Sequence, residues 1–217
     1  MNSSLSSLDW DHMLQEAKSL YVEADPGHDF SHILRVCENA RKIGEREGAD
    51  MQVLLLAALF HDAGSGPKSA VHSDESSARS VKIVEEFLAR WDISPVVRKK
   101  VLYAVEMHGF SRGIVPHTLE ARVLQDADRL DAMGAIGIAR AFTVGGSMGR
   151  KMYNPVDPFC TAREPDDGMW NIDHFYRKLL KLEEGMHTET ARMLARRRGA
   201  FMRNYLAELL VEIEGEE

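Results

Sequence analysis

The run Val53–Phe60, VLLLAALF, constrains this chain more than any other feature, and it is followed at once by His61-Asp62. Eight consecutive apolar residues leave no polar face to show to water. They are also far fewer than the roughly 18 residues that a membrane span requires. A helix apolar all round belongs in the middle of a bundle. An imidazole and a carboxylate at the end of such a helix cost several kcal/mol unless paired or bound to a cation, on the order of magnitude expected for buried polar groups. A C-terminal His facing the helix dipole beside a turn-forming Asp is the plain alternative for the pair taken alone.

The rest of the chain repeats the helical period. Leu8, Met13, Leu14, Ala17, Leu20 and Tyr21 form one amphipathic face, with Ser7 or Asp9 as cap. Ile33, Val36, Cys37, Ala40, Ile43 and Gly44 predict a helix over about 29–47, ended by Gly48. The apolar helix runs over about 50–62. Further helices are expected at about 72–91, 95–108, with Ser94 and Pro95 at its start, and 119–133. An Ala- and Gly-containing helical segment follows over 135–144, and a final pair covers about 172–182 and 186–214. No alternating run reads as a strand. The fold class is therefore all-α, as a single domain over 1–217. Its metal-site core covers about 20–145, with an irregular loop at 145–171 and C-terminal helices at 172–214 packed on it.

At 217 residues the chain can bury a sizeable core unaided. Its formal charge of −7 and lack of a basic stripe argue against duplex nucleic acid as partner. The densest basic cluster, Arg192, Arg196, Arg197 and Arg198, lies near Glu184 and Glu189 and reads as a solvated helix face. Cys37 and Cys160 are too few for a disulfide scaffold and fit a reducing compartment. The N-terminus lacks a signal-peptide pattern, and no membrane partner is expected. The expected localisation is cytoplasmic; a homodimer is compatible with the sequence.

Candidate metal ligands cluster at helix ends: His28 to His32, His61-Asp62, and the Asp126-Ala127-Asp128 stretch, with His72 and His108 looser. A mixed nitrogen and oxygen set suits manganese, iron, magnesium or zinc better than a thiolate site would. The combination resembles the HD-domain superfamily of metal-dependent phosphohydrolases, whose signature is a His, a His-Asp pair and a distal Asp on successive helices of an all-α bundle. The matching positions are His32 in HDFSHILRV, His61-Asp62 in LLLAALFHDAG, and Asp128 in LQDADRLDAMGAIGIAR. Ile33, Arg35 and Val36 follow the first His as in many members. The likeness extends over nearly the whole chain and is strongest to small stand-alone bacterial HD hydrolases, some of which act on nucleoside triphosphates.

The resemblance implies His32, His61, Asp62 and Asp128 as ligands of a divalent ion. Manganese is favoured, with Mg2+, Fe2+, Co2+, Ni2+ or Zn2+ as alternatives. Positions left for water and a phosphate oxygen would suit hydrolysis. Asp62, His72 and Glu75 are the catalytic candidates, Glu75 standing in for the acidic pair that some nucleotide-hydrolysing relatives carry after the His-Asp motif, where Gly64, Ser65 and Gly66 stand here. His108, Lys68, Arg129, Arg150 and Lys151 are candidates for holding a polyphosphate. His108 with His72 could instead take a second metal or be a helix-end His, and Arg150-Lys151 could be plain loop cations. His28 faces either the site or solvent. Asp131 would orient a ligand His from behind. Asp126 would point away and serve the helix's N-terminal turn. The expected function is hydrolysis of a small phosphorylated substrate, most simply a nucleotide. A nucleotide- or metal-sensing module without catalysis, and a di-metal oxygenase of the same superfamily, are the alternatives.

Overall fold

The computed structural model describes residues 9–21, 29–64, 73–109 and 113–215, and for residues 73–77 only the backbone. His28, Lys68, His72 and the Glu75 side chain lie outside that description. The fold is all-helical. Among the described residues the only extended pairing is one isolated bridge between Lys151 and Trp170. Among the described residues, no helix is long and apolar enough to cross a membrane.

The chain divides into two compact units, residues 1–128 and 129–217. The first opens with α1, Trp10–Lys18, capped by Asp9, whose carboxylate accepts from His12 N at 3.0 Å. A 3-10 turn, Ser19–Tyr21, follows. Helix α2, Phe30–Glu47, starts at Asp29, which accepts from His32 N at 3.0 Å. It stops at Gly48, where φ is 76° and the amide donates to Gly44 O at 2.9 Å. A left-handed residue there is cheap only for glycine.

Asp50 caps α3, Met51–Phe60, and every residue from Val53 to Phe60 is buried. The reason is position: α3 packs against α1, α2 and α5. Helix α4, Ser73–Leu88, packs on α5, Pro95–Glu106, and the Phe60 and Phe87 rings meet at 4.7 Å. Pro95 occupies the first turn of α5 and Ser94 caps it, accepting from Val97 N at 3.3 Å. Helix α6, Leu119–Asp131, begins after Thr118, whose hydroxyl accepts from Ala121 N at 3.3 Å. The boundary between the units falls within α6.

In the second unit, α7, Gly134–Ser147, packs against α8, Asn171–Arg177, and α9, Glu189–Glu214. Phe142, Phe175 and Tyr205 join in an aromatic cluster with ring centroids 6.1–6.5 Å apart. The stretch expected as helix at 172–182 is broken: after α8 the chain continues as a 3-10 helix, Leu179–Gly185, packed on α9. The basic cluster on α9 is only partly a solvated face. Arg192 and Arg196 pair with Glu189 at 3.3 Å, as expected for exposed charges. Arg198 instead turns inward and donates to Leu130 O, and burial lowers its pKa.

Candidate metal centre

Four candidate donors meet within the first unit, and each is placed by a helix end or a helix face. His32 sits in the first turn of α2, on the same face as Ile33 and Val36. His61 is the C-cap of α3, and Asp62 follows it in the turn, so the pair lies just past the helix rather than within it. Asp128 lies near the end of α6. His32 and His61 are fully buried.

One ligand atom from each of His32, His61 and Asp128 falls within a mutual distance of 4.8 Å. His32 Nε2 is 3.5 Å from Asp128 Oδ1. Asp62 Oδ2 lies 3.7 Å from both His32 Nε2 and His61 Nε2. Bonds of about 2.1 Å to an octahedral ion put neighbouring ligands about 3.0 Å apart and opposite ones about 4.2 Å apart. The observed separations fall between those values. They are too long for direct hydrogen bonds and right for a shared cation.

The protonation pattern fits the same reading. His61 Nδ1 is 2.8 Å from Ala58 O, a carbonyl that can only accept, so this nitrogen carries the proton. Nε2 then presents its lone pair, and it is buried with no hydrogen-bond partner. A polar atom in that condition is costly unless something else satisfies it. Burial pushes the His61 imidazole below its ordinary pKa, against the pull of Asp62 and Asp128. A buried neutral imidazole beside two carboxylates is the donor set a divalent ion takes.

His108 joins these four. Its Nδ1 donates to Val105 O at 2.6 Å, and its Nε2 lies 3.4 Å from Asp62 Oδ1. The His61 and His108 rings are edge-on at 5.3 Å. Asp62 therefore faces three histidines, Oδ2 toward His32 and His61 and Oδ1 toward His108. Burial depresses His108, but the hydrogen bond and charge of Asp62 outweigh it and leave the imidazole above its ordinary pKa.

The remaining sequence candidates have other engagements. Helix α6 starts at Leu119, as expected, so Asp126 lies seven residues into it and is fully buried rather than pointing away to serve the first turn. Arg129 is buried and donates to Gly185 O at 2.7 Å, within the second unit. Asp131 pairs with Arg140 at 2.9 Å in that unit. Lys151 lies over the Trp170 ring at 5.5 Å, and the amides of Arg150 and Lys151 bond to Gly145 O and Met169 O. Burial drives the thiols up, to about 12 for Cys37 and, with Asp173 adding to the effect, to about 11 for Cys160, so neither is a ready nucleophile.

Three side chains that the sequence reading passed over support the site's backbone. The buried Tyr21 hydroxyl donates to Leu59 O at 2.5 Å. Asn39 Nδ2 donates to Ala127 O at 3.2 Å. Gln125 Nε2 donates to Met107 O at 2.6 Å. Asn39 had a readable signal: it stands seven residues after His32 in an otherwise apolar stripe. Tyr21 had none, because a tyrosine on an apolar face is ordinary core.

An all-helical unit that brings a His, a His-Asp pair and a distal Asp together defines an HD domain. The HD-domain family model matches residues 29–133 of the chain. The chain belongs to the HD-domain superfamily, whose members include hydrolases and whose domains bind divalent metals. It is 34% identical over 202 residues to the uncharacterized protein YpgQ of Bacillus subtilis, covering 91% of this chain and 90% of that protein. It is similar to the crystal structure of Bacillus subtilis YpgQ in complex with ADP, with a TM-score of 0.72, 35% identity and 92% of each chain covered. It is also similar to an HD-superfamily hydrolase of Bacillus thuringiensis, with a TM-score of 0.72, 31% identity, and 93% of this chain and 95% of that one covered.

Proposed function

We propose that the chain is a divalent-metal-dependent phosphohydrolase acting on a small phosphorylated substrate, with a nucleotide as the favoured class and a nucleoside triphosphate cleaved to monophosphate and pyrophosphate as its most specific form. The observation that carries this reading is the convergence of His32, His61, Asp62 and Asp128, with the buried His61 Nε2 aimed into the cluster and satisfied by no hydrogen bond. Those four side chains would hold the ion, for which manganese suits a mixed imidazole and carboxylate set. A bound divalent cation would supply Lewis-acid polarisation of the phosphoryl group and a more acidic water.

The chain's own groups would do the rest. Ala58 O keeps the His61 proton on Nδ1, and Val105 O does the same for His108. His108, whose pKa is raised beside Asp62, is proposed as an imidazolium that keeps Nδ1–H on Val105 O and donates its second proton, on Nε2, toward a phosphoryl oxygen. Glu75, in the first turn of α4, and His72, outside the described residues, remain the proposed acid groups for the leaving oxygen. Lys68, Arg150 and Lys151 are proposed to neutralise further phosphates; Arg129, committed to Gly185 O, is a weaker candidate. A nucleotide is favoured because YpgQ, alike over nine-tenths of both chains, has been crystallised with ADP.

The test is a nucleotide panel assayed with Mn2+ and other divalent ions, reading phosphate and pyrophosphate separately. Metal-dependent turnover is expected for the wild type. His61→Ala and Asp62→Ala should abolish it while circular dichroism stays helical. Turnover that survives either change, still needing metal, would place the centre elsewhere. Tight nucleotide binding without product would favour a sensing module, and two equivalents of iron in protein purified without chelator would favour an oxygenase.

A further inference from the structure

The three buried donors each grip the main chain beside a candidate site residue, Tyr21 and Gln125 at carbonyls at or just past a helix end and Asn39 at one four residues before the end of α6. The last carbonyls of a helix have no partner within it. In α3 the amide of Ala63 goes to Phe60 O rather than back to Leu59 O, and the Tyr21 hydroxyl takes up Leu59 O, two residues before His61. Asn39 takes Ala127 O, the carbonyl next to Asp128. Gln125 takes Met107 O, the carbonyl next to His108, and reaches Ile114 O at 3.3 Å as well. Each donor comes from an element other than the one it grips. All three side chains are buried.

The Tyr21 phenol is suited to this task. Burial first, then the nearby Asp62 and Cys37, hold its pKa well above the usual phenol range. It therefore stays a donor at any working pH, and its bond to Leu59 O does not titrate. A buried carbonyl that loses such a donor is left unsatisfied or must move. Movement of the turn by about 1 Å would carry the His61 and Asp62 donors off a common centre.

We propose that Tyr21, Asn39 and Gln125 are positioning residues, which clamp the backbone beside His61-Asp62, Asp128 and His108 and so set the donor spacing for a divalent ion. This rests on the metal-centre reading above. The chemistry resembles outer-sphere support of metal ligands in general, where loss of a support weakens metal binding or activity by about 10- to 100-fold. Here the support acts on the main chain carrying the ligand rather than on the ligand ring.

The experiment titrates Mn2+ alone into the full-length chain, with Co2+ absorption as a readout of ligand geometry. The set is wild type, Tyr21→Phe, Gln125→Met and His61→Ala, each checked for helical content before metal is added. Tyr21→Phe and Gln125→Met should bind Mn2+ about 10-fold more weakly, alter the Co2+ band intensities, and lower kcat at saturating metal with KM unchanged. A lowered thermal midpoint with wild-type Mn2+ affinity and an unchanged Co2+ spectrum would mean ordinary structural roles and would overturn the proposal. The outcome for His61→Ala separates the two readings: undiminished Mn2+ binding by that variant would sink the metal centre itself. Clear loss there, with Tyr21→Phe and Gln125→Met both behaving as wild type, would sink only the clamps.

Discussion

Asp62 illustrates how one residue can be asked to satisfy several neighbours at once. Its two oxygens face His32 and His61 on one side and His108 on the other, at 3.4–3.7 Å. A second residue-scale device lies in the other unit. The buried Asp173 carboxylate accepts from Arg163 at 2.5 and 2.8 Å and from the Asp166 amide at 2.6 Å. Burial opposes ionisation, but those donors outweigh it and hold Asp173 below the usual carboxylate range. A carboxylate with a lowered folded pKa contributes stability above its unfolded value, about 3.9, and loses it as pH falls through the folded value. Asp173→Asn should therefore cost about 2 kcal/mol at pH 7, by leaving a largely covered Arg163 without its counter-charge. The gap to wild type should shrink below about pH 4, as urea unfolding at the two pH values would record.

At the scale of elements, α3 sets the geometry. It is buried on every side, so its end can deliver His61 and Asp62 only into the interior. Leu56, fully buried in its middle, should cost about 3–4 kcal/mol when cut to Ala, a loss that denaturant unfolding measures directly. The turn after α3 has its own tight point. Gly64 N donates to Ser80 Oγ at 2.9 Å, and a Cβ at Gly64 would come within 2.4 Å of Ser80 N in α4. The obstacle is backbone, which cannot rotate away. Gly64→Ala is expected to lose about 2 kcal/mol, within the range for overpacking, and to weaken Mn2+ binding because the turn carries Asp62. An Mn2+ titration of the variant below its melting temperature tests the second effect.

At the scale of the molecule, His32, His61, Asp62, His108 and Asp128 all belong to the first unit, which ends at Asp128. A ligand that binds only the folded state stabilises it by mass action, about 2.7 kcal/mol at one hundred times its dissociation constant. Calorimetry should thus show Mn2+ raising a transition in the wild type and leaving Asp128→Ala unmoved. An unmoved wild type at millimolar Mn2+ would contradict the metal centre.

Sequence alone determined the helical fold and much of its punctuation. Asp9, Ser94 and Gly48 act where their side chains or backbone freedom said they would, because caps are local chemistry. It also made the His61-Asp62 pair stand out at the end of an apolar run, whereas the choice of His32 and Asp128 beside it came from the family resemblance. Tertiary structure decided what depends on a distant partner. Asp126 became buried where the helices pack, Arg198 turned inward to Leu130 O, and the segment after α8 tightened to a 3-10 helix against α9. Tyr21 acquired its hydrogen-bond partner from a carbonyl 38 residues away. Period and capping are written within a few neighbouring residues, whereas the partner of a buried donor is chosen only when separate helices meet.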